Sequence, residues 1–301
     1  MENSPPHLMF ISNQLLSQGA RLAMKNVTGT AFIVAEFRAE ENEEAIPLYT
    51  DNVVKIWLNE ETKKIASHIA QNSPAAKEMV KLRTKYFDDV LSNQILGGCK
   101  QVVILGSGLD TRAARINGEK VTYFEIDDRA TLQLKEETLK ANKVTANVRY
   151  LPGDYVKDGL IPLLTQSEFD FARQTYFLWE GNTTLLGKKD VIFVLEQIRD
   201  NVHNFRLSLD YMSEKVILRT TGYQDINDYI DKYESMYAPW ITGFENIATL
   251  ADELHLKVID NFSTADLHAQ YRPGRSLESN LFKFYFVCTL KNSVGCVNPD
   301  I

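Results

Sequence analysis

The chain has 301 residues, 44% of them hydrophobic and 24% charged, values that suit one large α/β domain or one domain with a cap. A formal net charge of −7 argues against nucleic acid as a partner, because proteins that bind a phosphate backbone usually present a basic face. No apolar run approaches the roughly 20 residues needed to cross a bilayer, and residues 1–20 lack a basic start followed by an apolar core, so the chain reads as soluble, cytoplasmic and without a signal peptide.

Residues 1–25 are mixed in character. Thr28 to Arg38, TGTAFIVAEFR, is apolar around Ala31–Ala35 and predicts a helix, while the glutamate-rich stretch 40–44 reads as a solvated loop. Ser73-Pro74 marks a helix start, with serine as cap and proline at the first helical position. Met79, Leu82, Tyr86 and Val90 follow at helical spacing as a core-facing stripe, and Arg83 stands beside it.

Gln101 to Arg112, QVVILGSGLDTR, is the stretch around which the chain is organised. Val102 to Leu105 is a short apolar run rich in β-branched residues and predicts a buried parallel strand. Gly106-Ser107-Gly108 lets the backbone turn sharply and approach a ligand closely. Asp110 and Thr111 fall at the start of the next helix, where side-chain oxygens cap free N–H groups. The third glycine of a dinucleotide fingerprint would fall at 111, where a threonine stands, which disfavours NAD. Val121 to Asp127, VTYFEID, is a second strand ending in acids, and Asp127 lies 21 positions after Gly106. An acid at that strand end suits the hydroxyls of a ribose. Glu125 shares the strand face, but Asp127 is nearer the carboxyl edge and is favoured.

Thr131 to Lys140 predicts a charged amphipathic helix, and Val148 to Leu151 a third strand closed by Gly153-Asp154. The fourth strand falls within Phe169 to Glu180, interrupted by Ala172-Arg173-Gln174 and ending in Trp179-Glu180-Gly181. Val191, Val194, Leu195, Ile198 and Val202 form a long helical stripe before a fifth strand, Phe205 to Met212. Residues 213–240 are polar, aromatic and irregular in pattern, with Tyr223, Tyr229, Tyr233 and Tyr237, where an inserted cap over a substrate would sit. Thr242 with Glu245 makes a capping box ahead of Ile247, Leu250, Ala251 and Leu254. Leu256 to Phe262 and Leu281 to Leu290 close a seven-stranded sheet, and the residues after Lys291 read as a frayed tail. The whole is one domain: a helical cover at 1–95, a cofactor-binding core at 96–212, a cap insertion at 213–245, and the C-terminal part of the sheet at 246–291.

VVILGSGLDTRAARI followed by YFEID resembles the leucine carboxyl methyltransferase family and its bacterial relatives, several of them linked to polyketide-type small molecules. The likeness runs over residues 80–290 and includes RTKYFDD at 83–89, GDY at 153–155, LWEGNTTLL at 178–186 and PWITGFE at 239–245. It implies a Rossmann-like class I methyltransferase fold, an α/β architecture with a seven-stranded, mostly parallel sheet, N-terminal helices packed over the cofactor and an inserted cap. It also implies S-adenosyl-L-methionine as cofactor and methyl transfer to a carboxylate or hydroxyl of a small molecule, and less readily to a protein C-terminus. The resemblance gives Arg83 the carboxylate of the methionine moiety, and Asp154 with Tyr155 the adenine, although Tyr155 stands where leucine is more usual. Glu180 can accept from the methionine ammonium, and Trp179 either walls the methyl-transfer pocket or, as a Trp at a strand end more often does, belongs to the core.

Transfer from a sulfonium is an in-line displacement that needs positioning and desolvation. A carboxylate acceptor is ionised at pH 7 and needs no base. A phenol or alcohol needs one, for which His203 or a cap tyrosine is available. The motifs fix neither a catalytic residue, nor the acceptor, nor the oligomeric state. No metal site is predicted: Cys99, Cys288 and Cys296 show no CxxC spacing, and His7, His68, His203, His255 and His268 are not at ligand spacing. The alternatives are a non-catalytic S-adenosylmethionine-binding protein and a Rossmann-type oxidoreductase, the latter disfavoured by Thr111.

Overall fold

A computed structural model describes residues 29–72, 74–118, 120–236 and 240–293. Its centre is one seven-stranded sheet: β1 (Gln101–Leu105), β2 (Thr122–Asp127), β3 (Val148–Pro152), β4 (Thr175–Trp179), β5 (Phe205–Met212), β6 (Leu256–Ser263) and β7 (Tyr285–Asn292). The order across the sheet is β3-β2-β1-β4-β5-β7-β6. The first five strands run parallel, and β7 is antiparallel to both of its neighbours. Every residue of β1 and β4 is buried, as expected of central parallel strands covered on both faces.

Alternation along those strands divides the core into two layers. Val103, Leu105, Phe177 and Trp179 pack against Val191, Val194, Leu195 and Ile198 of α7 (Lys188–Asn201) and Ile247 and Leu250 of α10 (Ile247–Glu253). Val102, Ile104, Tyr176 and Leu178 face the other way, onto Met79, Leu82 and Tyr86 of α3 (Pro74–Leu96). A smaller cluster attaches the N-terminal cover: Phe32, Ala35 and Ala39 of α1 (Gly29–Glu40) meet Val54, Trp57, Leu109 and Leu139. The remaining helices in chain order are α2 (Glu60–Asn72), α4 (Arg112–Arg115), α5 (Arg129–Ala141), α6 (Leu160–Thr165), α8 (Glu214–Ile217), α9 (Gln224–Met236) and α11 (Thr264–Tyr271).

Pro74 opens α3 as expected, whereas Ser73, Tyr237, Pro239, residues 1–28 and residues 294–301 lie outside the described residues. The stretch 40–44 is not a solvated loop. Glu41 is fully buried, with both oxygens on Arg272 Nη2 at 2.9 and 2.7 Å and Lys81 at 3.3 Å. Two distant cations compensate that carboxylate, and a glutamate run alone does not reveal them. Residues 213–240 contain two helices, α8 and α9, with Ile226, Tyr229 and Ile230 buried on a narrow stripe among polar neighbours.

The expected capping box of α10 is replaced by Asn246, which accepts from Ala248 N at 2.9 Å, while Thr242 Oγ1 donates to Leu186 O and Glu245 pairs with Lys215. Leu281 belongs to a 3-10 turn, Asn280–Lys283, in which it and Phe282 are buried, and the last strand begins four residues later than expected, at Tyr285. Among the described residues no helix is long and apolar enough to cross a membrane, and no group of His, Cys, Asp and Glu could hold a metal ion.

Candidate functional site

The strand order reverses between β1 and β4, so the connections leaving their carboxyl ends diverge and open a crevice. The glycine turn forms one wall. Gly106 has φ +62° and Gly108 φ +46°, and a Cβ on Gly106 would stand 2.6 Å from the Asn182 side chain. A side chain at Gly106 would be strained in its backbone and would have to displace the Asn182 side chain. Asn182 Nδ2 donates to Glu180 O at 2.7 Å, Leu105 O at 3.3 Å and Gly106 O at 3.4 Å, which fixes the end of β4 to the glycine turn. Ala31 of α1 lies over this turn, 3.6 Å from where a Cβ on Gly108 would be. At the start of α4, Asp110 Oδ1 caps Arg112 N at 2.7 Å, but Thr111 makes no cap and gives its Oγ1 to Asp51 at 2.7 Å.

Asp127 reaches the turn from the end of β2, accepting from Gly108 N at 2.7 Å and Asp128 N at 2.7 Å. Its half-burial raises the carboxyl pKa against the pull of those two N–H groups. Glu125, the competing acid, is fully buried and paired with Lys135 of α5. Asp154 accepts from Val156 N at 3.0 Å and Lys157 N at 3.2 Å and so caps the turn Tyr155–Gly159. The Tyr155 ring is buried, and its hydroxyl accepts from Trp179 Nε1 at 3.1 Å. Trp179 is therefore core and does not wall a pocket.

Arg83 and Glu180, 97 residues apart, meet at the end of β4, with Arg83 Nε donating to Glu180 Oε1 at 3.0 Å. Glu180 Oε2 also pairs with Arg112 Nη1 at 2.8 Å. Arg83 Nη1 donates to Asp210 Oδ2 at 2.9 Å and to the Tyr285 hydroxyl at 2.6 Å. Burial works against the Arg83 charge, but Tyr285, Asp210 and Glu180 more than offset it, and its pKa ends above the usual value. The network continues inward through Arg112 to Asp110 and Asp88, and through Arg115 and Arg38 to Asp51. Sequence reasoning missed Asp210, Tyr285, Asn182, Asp88 and Asp51. Only Asp210 left a signal, as an acid inside the apolar strand Phe205–Met212.

His203 is at the wrong end of the sheet to act as a base. It precedes Phe205, which is level with Thr175, whereas Glu180 follows the other end of β4. Six or seven residues of extended chain, about 20 Å, separate it from the crevice. In the cap, the rings of Tyr233 and Trp240 lie 4.3 Å apart with Tyr229 stacked beside them. Ile241 N donates to Thr184 O at 2.8 Å, which ties this aromatic group to the loop following Glu180.

The sequence model of the leucine carboxyl methyltransferase family matches residues 31–199, more than half of the chain. A candidate S-adenosyl-L-methionine-dependent methyltransferase of Mycolicibacterium smegmatis is 33% identical over 178 residues, covering 52% of this chain and 54% of that protein. One from Mycobacterium avium is 41% identical over 103 residues, 33% of each. The chain spans about half the length, or less, of these relatives. Among solved structures, a candidate methyltransferase from Thermobifida fusca superimposes with a TM-score of 0.57 at 17% identity, over 86% of this chain and 94% of that one. A DUF574 family protein from Streptomyces avermitilis gives 0.58 at 10% identity, over 86% and 96%. At such identities the likeness is one of fold, the Rossmann-like class I methyltransferase fold.

Proposed function

The chain belongs to the leucine carboxyl methyltransferase family, and on that premise we propose that it transfers a methyl group from S-adenosyl-L-methionine to an oxygen of a small-molecule acceptor. The observation that carries this reading is the Arg83–Glu180 pair, 3.0 Å apart, beside a glycine turn at the β1/β4 crevice. The donor set fits the cofactor. Its amino-acid end is a zwitterion, and the crevice offers Arg83 and Glu180 side by side, the first backed by Asp210 and the second by Arg112. Its ribose is a diol, and Asp127 stands at the edge of β2. A side chain at Gly106 would push against Asn182 in the turn itself.

When bound, the cofactor supplies a methyl group on a sulfonium, open to in-line displacement. The chain's part is to hold and to dry. Arg83 would hold the methionine carboxylate, Glu180 the ammonium, Asp127 the ribose, and Asp154 with the Tyr155 backbone the adenine, beside Gly106, Ser107 and Gly108. The acceptor is a carboxylate before a phenol or alcohol. Among the described residues at the crevice, Glu180 and Asp210 are held by Arg83, and burial pushes the cap's Tyr233 up to about 12. An acceptor that arrives ionised therefore suits these residues best. The same reading takes 1–95 as cover, 96–212 as cofactor core, 213–245 as cap and 246–291 as the closing part of the sheet, and it places the protein in the cytoplasm, where the buried thiols of Cys99 and Cys288 stay reduced.

Calorimetry with S-adenosylmethionine, S-adenosylhomocysteine and NAD tests the first half: the first two bind and NAD does not. Transfer of labelled methyl to paired carboxylate and phenol acceptors tests the second. Binding of NAD with no response to S-adenosylmethionine would overturn the reading, and cofactor binding without transfer to any acceptor would leave a binding protein.

A further inference from the structure

We propose that Asp210 and Tyr285 are positioning residues that hold Arg83 at the amino-acid end of the cofactor site. Through them the chain would distinguish cofactors that carry this end from nucleosides that lack it. The inference rests on the cofactor assignment given above.

Glu180 cannot both turn to a ligand's ammonium and alone restrain the long Arg83 side chain. Asp210 supplies the second restraint. Its Oδ2 accepts from Arg83 Nη1 at 2.9 Å and from the Tyr285 hydroxyl. Its Oδ1 accepts from Gly181 N at 2.7 Å, and its backbone carbonyl accepts from the Thr183 hydroxyl. Tyr285, the first residue of β7, in turn accepts from the same Arg83 nitrogen at 2.6 Å. Strand ends β5 and β7 and the turn after β4 thus grip one edge of a guanidinium carried on α3.

What this leaves in place is the orientation of Nη2. It lies against Gly181, whose φ is +75°, and a Cβ there would stand 3.1 Å from that nitrogen. Gly181 puts no side chain against Nη2, and the Asp210–Tyr285 grip on Nη1 keeps the guanidinium in that orientation. Asp210 and Tyr285 are themselves buried, 1% and 6% exposed, so they would act on a ligand through Arg83, at its methionine end.

Calorimetry on Asp210→Asn and Tyr285→Phe decides it, with S-adenosylhomocysteine and 5′-methylthioadenosine, which lacks the amino-acid end, as probes. Asp210→Asn should lower affinity for S-adenosylhomocysteine about tenfold or more, the scale of one charge-assisted hydrogen bond, and leave methylthioadenosine within about twofold. Tyr285→Phe should show the same split with a smaller loss, and it decides the question alone should Asp210→Asn fail to fold. Equal losses for both probes, or none for either, overturn the proposal. Failure of the unaltered protein to bind S-adenosylhomocysteine at all strikes instead at the cofactor assignment.

Discussion

Asp127 has two tasks in this arrangement: it closes the glycine turn by accepting from Gly108 N, and it serves the proposed ribose. Asp127→Ala should therefore weaken S-adenosylhomocysteine at least tenfold, since a lost charged hydrogen bond is worth about 1.5–3 kcal/mol. Calorimetry on the folded variant reads this directly, and an unchanged dissociation constant would remove Asp127 from the site. Strand alternation places Glu125 and Asp127 on one face but not at one depth, and depth separates them, because Glu125 is spent on Lys135. Arg83 and Glu180 could be proposed from the sequence because each sits in a local motif, and the structure brings the two together. Asp210 and Tyr285 were not, since they reach Arg83 across 127 and 202 residues and such pairs leave no spacing behind.

Elements with a continuous apolar face were legible to within a residue or two, as with α7 and β5, because burial writes the period into the sequence. Two segments escaped. Among the described side chains of α9 only Ile226, Tyr229 and Ile230 are buried, in a run otherwise rich in Asp, Gln and Asn, too narrow a stripe to outweigh polar composition. At 41–44 the charge is real, but its setting is fixed by α3 and by residues 272–275, far along the chain. Two arginines there give a comparison with its own control. Arg272 and Glu41 are both nearly inaccessible, with side chains 3% and 0% exposed, while Arg275 and Glu44 are 54% and 30% exposed. Arg272→Met leaves Glu41 buried with Lys81 alone and should cost about 3–5 kcal/mol in urea unfolding. Arg275→Met should cost about 0–1 kcal/mol. Similar losses for the two variants would mean that the 41–44 segment is held by its apolar neighbours and not by the Arg272 pair.

Across the whole molecule the buried charges decide how stability follows pH, and they pull in opposite directions. Burial opposes the ionisation of Asp51 and Asp110, but Arg38 and Arg115 around the first, and Arg112 and Arg38 around the second, hold both below the usual 3.8. A depressed acid contributes stability that is present above its unfolded pKa and is lost as the pH falls through the folded one. Their contribution is therefore full above about pH 4 and declines progressively as the pH falls further, toward their depressed folded values. Glu125 is the reverse. Burial outweighs the pull of Lys135 and raises its pKa from 4.5 to about 7. Between those values the folded chain binds more protons than the unfolded chain, so this contribution is greatest below pH 4.5 and is gone by about pH 7. Burial raises Asp210, Asp127 and Glu36 in the same sense. Stability should accordingly peak on the acid side of neutrality and decline toward pH 7 by a few kcal/mol, because a tenfold change in proton affinity on folding is worth about 1.4 kcal/mol. Glu125→Gln should flatten most of that decline, even if it lowers stability throughout by leaving Lys135 without a counter-charge. Urea midpoints from pH 4 to pH 8 for both proteins make the comparison. Two parallel curves would show that Glu125 stays ionised over the whole range, with Lys135 stronger than burial.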